Sequence, residues 1–430
     1  MPWYHHESPS LSPEIIHEAA VRLLDEARAR LGCELKRVLL LPPDLTRAHS
    51  GSGKVTEWIY QALPKDCDVH VIPTLGQHIP HTPEENRWMF GSIPEERIHA
   101  HDWRNGCTRI GVIPAAKVAE STGGLADWEI PVDLNSMLMD QPWDLIINIG
   151  HVVPHEVLGF ANHNKNYFIG LGGKETICAS HIAAACYGIE NNLGNLITPL
   201  RACYNWAEDQ FLSKLPDVYF QIVMRRDEQN QLVTSGVYVG DDLETYLMAA
   251  RASREQNITV FEKPVQKIVA VMQADEFRAT WVANKAVYRT RMAMADGGEL
   301  LVIAPGVERF GEQPEVEEII RRFGYRDTPT IMEYYRKEPL LQNFAHGTAH
   351  LIHGSSEGRF TIRYAPSKLS REEIESVGYA YMDLNEALAR YNPSTMKEGW
   401  NTMADGEEVF FISTPSAGLW ASRDRLPRME

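Results

Sequence analysis

Residues able to move protons and hold anions crowd into a few short stretches of this chain. DLTR runs from Asp44 to Arg47, and His78 sits in LGQHIPHT. The densest stretch, GHVVPHEVLGFANHNKNYFIGLGGKETICASH, holds His151, His155, His163, Lys165, Lys174 and His181. Histidines suit acid and base roles near neutrality, because an unperturbed imidazole has a pKa of about 6.5. Arginine grips a carboxylate or phosphate through two parallel hydrogen bonds. Gly172 and Gly173, leading through Lys174 into the helical-looking TICASHIAAACYG, allow backbone N–H groups to approach an anion. Neither GLGGKET nor AHSGSGKVT has the spacing of a nucleotide-binding P-loop. The chemistry on offer is proton transfer on a small anionic molecule.

The elements that position these residues are legible from apolar periodicity. SPEIIHEAAVRLLDEARARLG predicts a helix, with Ser12 and Pro13 at its start and Gly32 at its end. KRVLLLPP, VHVIPTLG and DLIINIG are short continuous apolar runs, the pattern of strands buried on both faces. Helical stretches between them imply a parallel sheet covered by helices. QKIVAVMQ, ELLVIAP, RFTIRYA and EEVFFIST predict a second α/β unit, with a long helix over 275–296 and another in SREEIESVG. RASREQN is the expected hinge. The expectation is two α/β domains with mainly parallel sheets, facing each other across an active-site cleft. The first covers 1–255, with the segment 405–430 packing back on it, and the second covers 265–404. Asp44, Arg47, His78, His151 and His155 each follow a strand, at the rim where open parallel sheets bind ligands.

Composition narrows the class. At 430 residues, 44% hydrophobic and 23% charged, the chain reads as globular and long enough for two cores. A formal net charge of −16 argues against nucleic acid, whose binding rests on clustered Lys and Arg. No apolar stretch approaches the roughly 20 residues of a membrane span, and MPWYHHESPS does not resemble a secretion signal. The six scattered cysteines include no CxxC pair, which favours a reducing cytoplasm over a disulfide framework.

The order PPDLTRAHS, LGQH, GHVVPHEVLGFANHNK resembles the lactate racemase family, and the resemblance covers most of the chain. That family has a DLTR-like motif after its first strand, a G-x-H after the next, and PHxxxGF followed by a lysine. The resemblance implies a nickel-pincer nucleotide (pyridinium-3-thioamide-5-thiocarboxylic acid mononucleotide) attached to Lys165, with His181 as protein ligand to its nickel. It implies His78 and His155 as the paired acid and base, with Asp44 and Arg47 nearby, and Lys285 as a substrate-binding lysine from the second domain. Cofactor-maturation proteins would be partners. The chemistry supports these residue types. Deprotonating C2 beside a carboxylate is difficult, whereas removing the C2 hydrogen as hydride while a base takes the hydroxyl proton gives a transient 2-keto acid. No side chain accepts a hydride, so a cofactor is required. An imidazole completing a planar set of soft donors suits nickel.

The chain departs from the family in three places. Ala161, Asn162, His163 and Asn164 stand where small residues precede the lysine, Val282 stands for a glutamine, and Phe344 for a stacking tryptophan. Polar loop residues, His163 among them, would hydrogen-bond hydroxyls beyond C2, which points to an aldonic sugar acid; Val282 points instead to an aryl or branched 2-hydroxy acid, and lactate itself is a further alternative. Two other classes are weighed. HGTAHLIH sets His346, His350 and His353 on one helical side, as a metal-dependent hydrolase might need. A non-catalytic binding protein is the other, disfavoured by retention of both acid/base histidines.

Overall fold

The first helix forms where its end signals place it. The computed structural model, which describes residues 2–229 and 231–426, has a helix at Pro13–Leu31. The Ser12 side chain accepts the Ile15 N–H and Gly32 closes the helix in the left-handed conformation. Its buried side (Ala19, Ala20, Leu23, Leu24, Ala27) packs into one core with Val38, Leu40, Val69, Val71, Leu145 and Ile147. Those residues come from the three apolar runs, now strands Arg37–Leu41, Asp68–Val71 and Leu145–His151.

The chain divides into two units, both α/β. The first comprises residues 1–180 and 195–257. Its six-stranded sheet runs Tyr4–Glu7, Leu232–Gly240, Asp217–Arg226, Leu145–His151, Arg37–Leu41, Asp68–Val71. The last four strands are parallel, with Val38 opposite both Val69 and Leu145. The first two are antiparallel to their neighbours. Periodicity did not reveal the strands Asp217–Arg226 and Leu232–Gly240, because polar residues such as Gln221 lie buried inside them. RASREQN forms the last part of a continuous helix, Leu243–Asn257, and the first unit ends with it.

The second unit comprises 181–194 and residues from 258 onward. Its sheet runs Ala380–Tyr381, Thr361–Pro366, Met294–Ala304, Val265–Val271, Glu408–Ile412, Gly399–Thr402. All neighbours are parallel except the final pair. The segment 405–426 groups with the second unit rather than with the first. Val409 and Phe411 pack with Val269, Leu301 and Ile303, and Leu419–Ser422 pairs with Ile258–Phe261. Apolar burial beside the second sheet decides its place. The long helix expected over 275–296 is instead two short ones, Thr280–Ala283 and Lys285–Thr290, followed by strand. Asn284 lies between them, its amide donating to the Tyr379 hydroxyl (2.9 Å) and accepting from Tyr364 (2.7 Å). All six cysteines are free, and no described helix is long and apolar enough to cross a membrane.

Candidate active site

Asp44 ends the loop after Arg37–Leu41 and precedes the short helix Leu45–Ser50, yet its side chain does not cap that helix. The carboxylate instead receives the Thr46 hydroxyl at 2.7 Å and the Nδ1 of His78. Burial alone would raise the Asp44 pKa. The His78 ring, the Thr46 hydroxyl and the Lys165 charge outweigh it and hold the carboxyl well below its usual range. An ionised Asp44 fixes the proton of neutral His78 on Nδ1, which makes Nε2 the basic nitrogen. The His78 side chain remains half exposed, at 51%.

His155 carries the opposite tautomer. It lies on the two-residue strand Pro154–His155, paired with Gly159–Phe160, and is buried. Its Nδ1 accepts the Val157 backbone N–H at 3.2 Å, so the proton of the neutral ring sits on Nε2. One histidine thus has a basic Nε2 and the other an Nε2–H.

Lys165 lies in unusual backbone. Asn162 and His163 both have positive φ, 68° and 57°, a conformation costing a non-glycine residue roughly 1 kcal/mol or more. Directly after Lys165 the chain makes a π-helical turn, Asn166–Gly170, with the Leu171 N–H bonded back to the Asn166 carbonyl at 2.8 Å. Such turns occur frequently at functional sites. The Lys165 amine is pushed down to about 8, by burial first, then by the positive charge of Arg47, with a smaller push from Arg201. Asp44 and Glu156 oppose the shift. At pH 7 the reactive free base is therefore on the order of 10² times or more as abundant as in an ordinary lysine. An amine that must form a covalent bond to a carrier needs that form, so Lys165 fits the tether role.

The rest of this stretch departs from expectation. Gly172, Gly173 and Lys174 do not present a bare phosphate cradle, because their N–H groups bond the carbonyls of Ile169 (3.3 Å), Asp133 (2.8 Å) and Trp103 (2.9 Å). The two glycines serve packing, since a Cβ on Gly172 would lie 2.0 Å from the Phe168 oxygen and one on Gly173 2.6 Å from the Asp133 Cβ. His163 is neither a solvated loop residue nor an open contact. It is 3% exposed, stacked on Tyr219 with centroids 4.2 Å apart, and kept neutral by burial and by Arg201. The loop amides are also engaged. Asn162 donates to the Gly150 carbonyl (3.3 Å) and accepts from Asn166 (2.7 Å), while Asn164 donates to Asn205 (2.7 Å) and Glu208 (2.9 Å). These groups bind the fold, which removes the stated basis for recognising distant hydroxyls.

Two residues escaped the sequence reading. Glu156 directly follows His155 and bears on both Arg47 and Lys165. Arg201 is completely buried, in the first turn of the helix Pro199–Phe211. A cation there opposes the helix dipole, and that misfit was the available signal.

The first unit therefore brings together Asp44, Arg47, His78, Glu156 and Lys165. His181 and Lys285 belong to the second. His181 is part-buried on the helix Lys174–Tyr187, and Lys285 opens the helix Lys285–Thr290, its Nζ 5.6 Å from the centroid of the Phe277 ring. The three histidines of HGTAHLIH are buried in the helix Ala345–His353. Both ring nitrogens of His350 meet tyrosine hydroxyls, Tyr288 at 2.5 Å and Tyr325 at 2.9 Å. Among the described residues no group of three or more His, Cys, Asp or Glu is placed to hold a metal ion.

Comparison with known proteins agrees with the α/β layout. The structure is similar to that of a Thermotoga maritima protein from a structural genomics programme, with a TM-score of 0.79, 24% identity, and 97% of this chain and 100% of that one covered. It is also similar to the lactate racemase apoprotein of Thermoanaerobacterium thermosaccharolyticum, with a TM-score of 0.70, 16% identity, and 94% and 92% covered. At these identities the likeness defines a fold. No curated protein matches in sequence. Residues 12–192 match the family model of the lactate racemase N-terminal domain.

Proposed function

We propose that the protein is an isomerase that inverts C2 of a 2-hydroxy acid, with a nickel-pincer nucleotide attached to Lys165 and His181 as the protein ligand to nickel. The observation that carries the reading is the lowered Lys165 amine beside Asp44, whose carboxylate holds His78, in the first unit. Bound there, the nucleotide supplies an acceptor for the C2 hydrogen as hydride, which no side chain provides. His78 Nε2 takes the hydroxyl proton of one enantiomer, its charge balanced by Asp44. His155, as the imidazolium, gives the proton needed to complete the inversion, and the roles exchange in reverse. Arg47 offers the carboxylate a bidentate grip, and Lys285 a second positive charge. Maturation proteins supply the cofactor, and the site of action is the cytoplasm.

The loop amides are engaged in the fold, so the substrate side chain is read from Val282 alone. That residue lies three positions before Lys285, on the preceding short helix, and favours an apolar group larger than the lactate methyl, as in a branched or aryl 2-hydroxy acid. An aldonic acid is the competing substrate. Matured protein should carry a nucleotide-sized adduct on Lys165 by peptide mass mapping, with nickel present. Lys165→Ala should lose adduct and turnover together. Fully active unmodified protein, or an adduct on Lys174, would overturn the assignment. Chiral chromatography of lactate, a branched acid and gluconate then orders the substrates, and fastest turnover of gluconate would replace the apolar reading.

A further inference from the structure

The buried guanidinium of Arg201 reaches three oxygens in the five residues before Lys165. Its Nη2 donates to the Phe160 carbonyl at 2.6 Å, and its Nη1 to the Asn162 carbonyl at 3.3 Å and to Asn164 Oδ1. The opposite face lies on the Tyr246 ring, 4.4 Å from its centroid. The Asn164 amide then donates to Glu208 Oε2, so cation, amide and carboxyl form one buried chain. The gripped oxygens bracket the two left-handed residues, Asn162 and His163. Two such residues in succession persist only where surrounding contacts over-determine them. Desolvating a guanidinium completely is expensive, and bonds to neutral oxygens offset only part of that cost. Such an arrangement is poor as a stability device and well suited to fixing a geometry.

We propose that Arg201 is a positioning residue for Lys165: by clamping Phe160, Asn162 and Asn164 it sets the direction in which the lysine stem leaves the loop and keeps the amine desolvated. The proposal rests on the tether reading of Lys165. The charged groups bearing on the amine are Arg47 and Asp44 from the segment after the first parallel strand, Glu156 from beside His155, and Arg201 itself. Glu208 joins through Asn164. Burial is the largest cause of the lowered amine pKa. Releasing the loop therefore lets the amine hydrate, and its pKa rises toward the ordinary lysine value.

The test needs no cofactor. Full-length protein before loading is acylated with acetic anhydride across pH 6–11, and modification of Lys165 is followed by peptide mass mapping. Wild type should show a midpoint near 8. Arg201→Met should raise it by about one unit or more, lowering the free amine at pH 7 roughly tenfold per unit. Arg201→Lys keeps the charge without the fork and should fall between the two. Hydrogen exchange over residues 160–164 should quicken in both. Leu23→Ala, in the helix-side core of the same unit, is the control: a lower Tm with an unchanged midpoint. If Arg201→Met does not fold, Asn164→Ala removes one clamped oxygen and is read by the same two measurements. A folded clamp variant with wild-type midpoint and exchange overturns the proposal, as does an equal shift in Leu23→Ala. A missing adduct on Lys165 in matured protein, with the Arg201 effects intact, would instead remove the tether reading alone.

Discussion

Lys165 and Lys285, singled out by the same family resemblance, are held by different physics. The Lys165 loop is strained, follows two left-handed residues, and rests on a buried network containing Arg201, Glu208 and Asp217. The Lys285 helix begins after Asn284, whose amide is pinned by Tyr364 and Tyr379. Around it Thr280, Tyr325, His350 and Tyr288 bond one another in sequence. Burial pushes the phenols of Tyr325, Tyr364 and Tyr379 well above their ordinary value, so those groups stay neutral. Fixed charge shifts the proton affinity of whatever lies beside it, whereas hydroxyls and amides orient a neighbour with much less effect on its charge. The first arrangement suits an amine that must react; the second holds the start of the Lys285 helix in place, with the Glu276 carboxyl bearing on the lysine.

The sharpest way to break this contrast is at the proton-transfer pair of the charged region. His78→Ala and His155→Ala should each lower turnover by a factor on the order of 10²–10⁴ while leaving the Lys165 adduct in place. Asp44→Asn should be the informative companion, since it keeps the volume but no longer dictates that Nδ1 carries the His78 proton. Near-normal turnover of both histidine variants, measured by chiral chromatography, would refute the two-histidine scheme. A full loss in Asp44→Asn with the adduct absent would move Asp44 from proton transfer to cofactor loading.

A smaller effect separates the regions by pH. Burial, with Asp217 beside it, raises Glu208 from 4.5 to about 7, and burial raises Asp217 to about 6. Below about 4.5 Glu208 is protonated folded and unfolded alike, so pH has little leverage there. Between about 4.5 and 7 the folded chain retains a proton that the unfolded chain releases, so stability falls as pH rises through that window and levels off above it. Thermal unfolding of the first unit should show that decline, and Glu208→Gln should flatten it. Tyr379→Phe in the neutral network should lower stability by about 1–3 kcal/mol through unpaired Asn284 and Gly354 groups, leaving the first unit's decline with pH in place. A Glu208→Gln profile as steep as wild type would assign the decline elsewhere.

The same contrast explains what the sequence could disclose. Continuous apolar runs made the parallel strands legible, and with them the neighbourhood of Asp44 and His78, each of which follows such a run. Lys165 was legible only through its spacing from His155. Arg201 was not, because its partners Phe160, Asn162 and Asn164 lie about forty positions away along the chain, and the Phe160 and Asn162 oxygens it meets are backbone carbonyls without a side-chain signature. The break at Asn284 was hidden for the same reason: its partners Tyr364 and Tyr379 are supplied by distant segments, while the local sequence TWVANKAVYRT has ordinary helical periodicity. Glycines misled in the opposite direction. GLGGKET looks like an anion cradle, yet crowding by Phe168 and Asp133 requires those glycines in the packed fold.

The smallest effect comes from two matched helix caps. Thr82 and Ser370 each form a capping box, with Glu85 and Glu373 respectively. Replacing either with Ala removes similar hydrogen bonds and should cost about 1 kcal/mol. Their surroundings differ. Thr82 follows His81, whose Nε2 accepts the Leu45 N–H at 2.9 Å and whose Nδ1 meets Asn86 Oδ1 at 3.1 Å. The Thr82 cap therefore helps tie the loop carrying His78 to the residue after Asp44. Ser370 starts a short helix, Arg371–Ser376, in the second unit, where no group assigned to the chemistry adjoins it. Thr82→Ala should slow turnover several-fold and quicken hydrogen exchange over residues 75–82, whereas Ser370→Ala should lower Tm by a similar amount with turnover unchanged. Equal turnover in the two variants would mean that the short contact between Asp44 and His78 holds its geometry without help from the loop's far end.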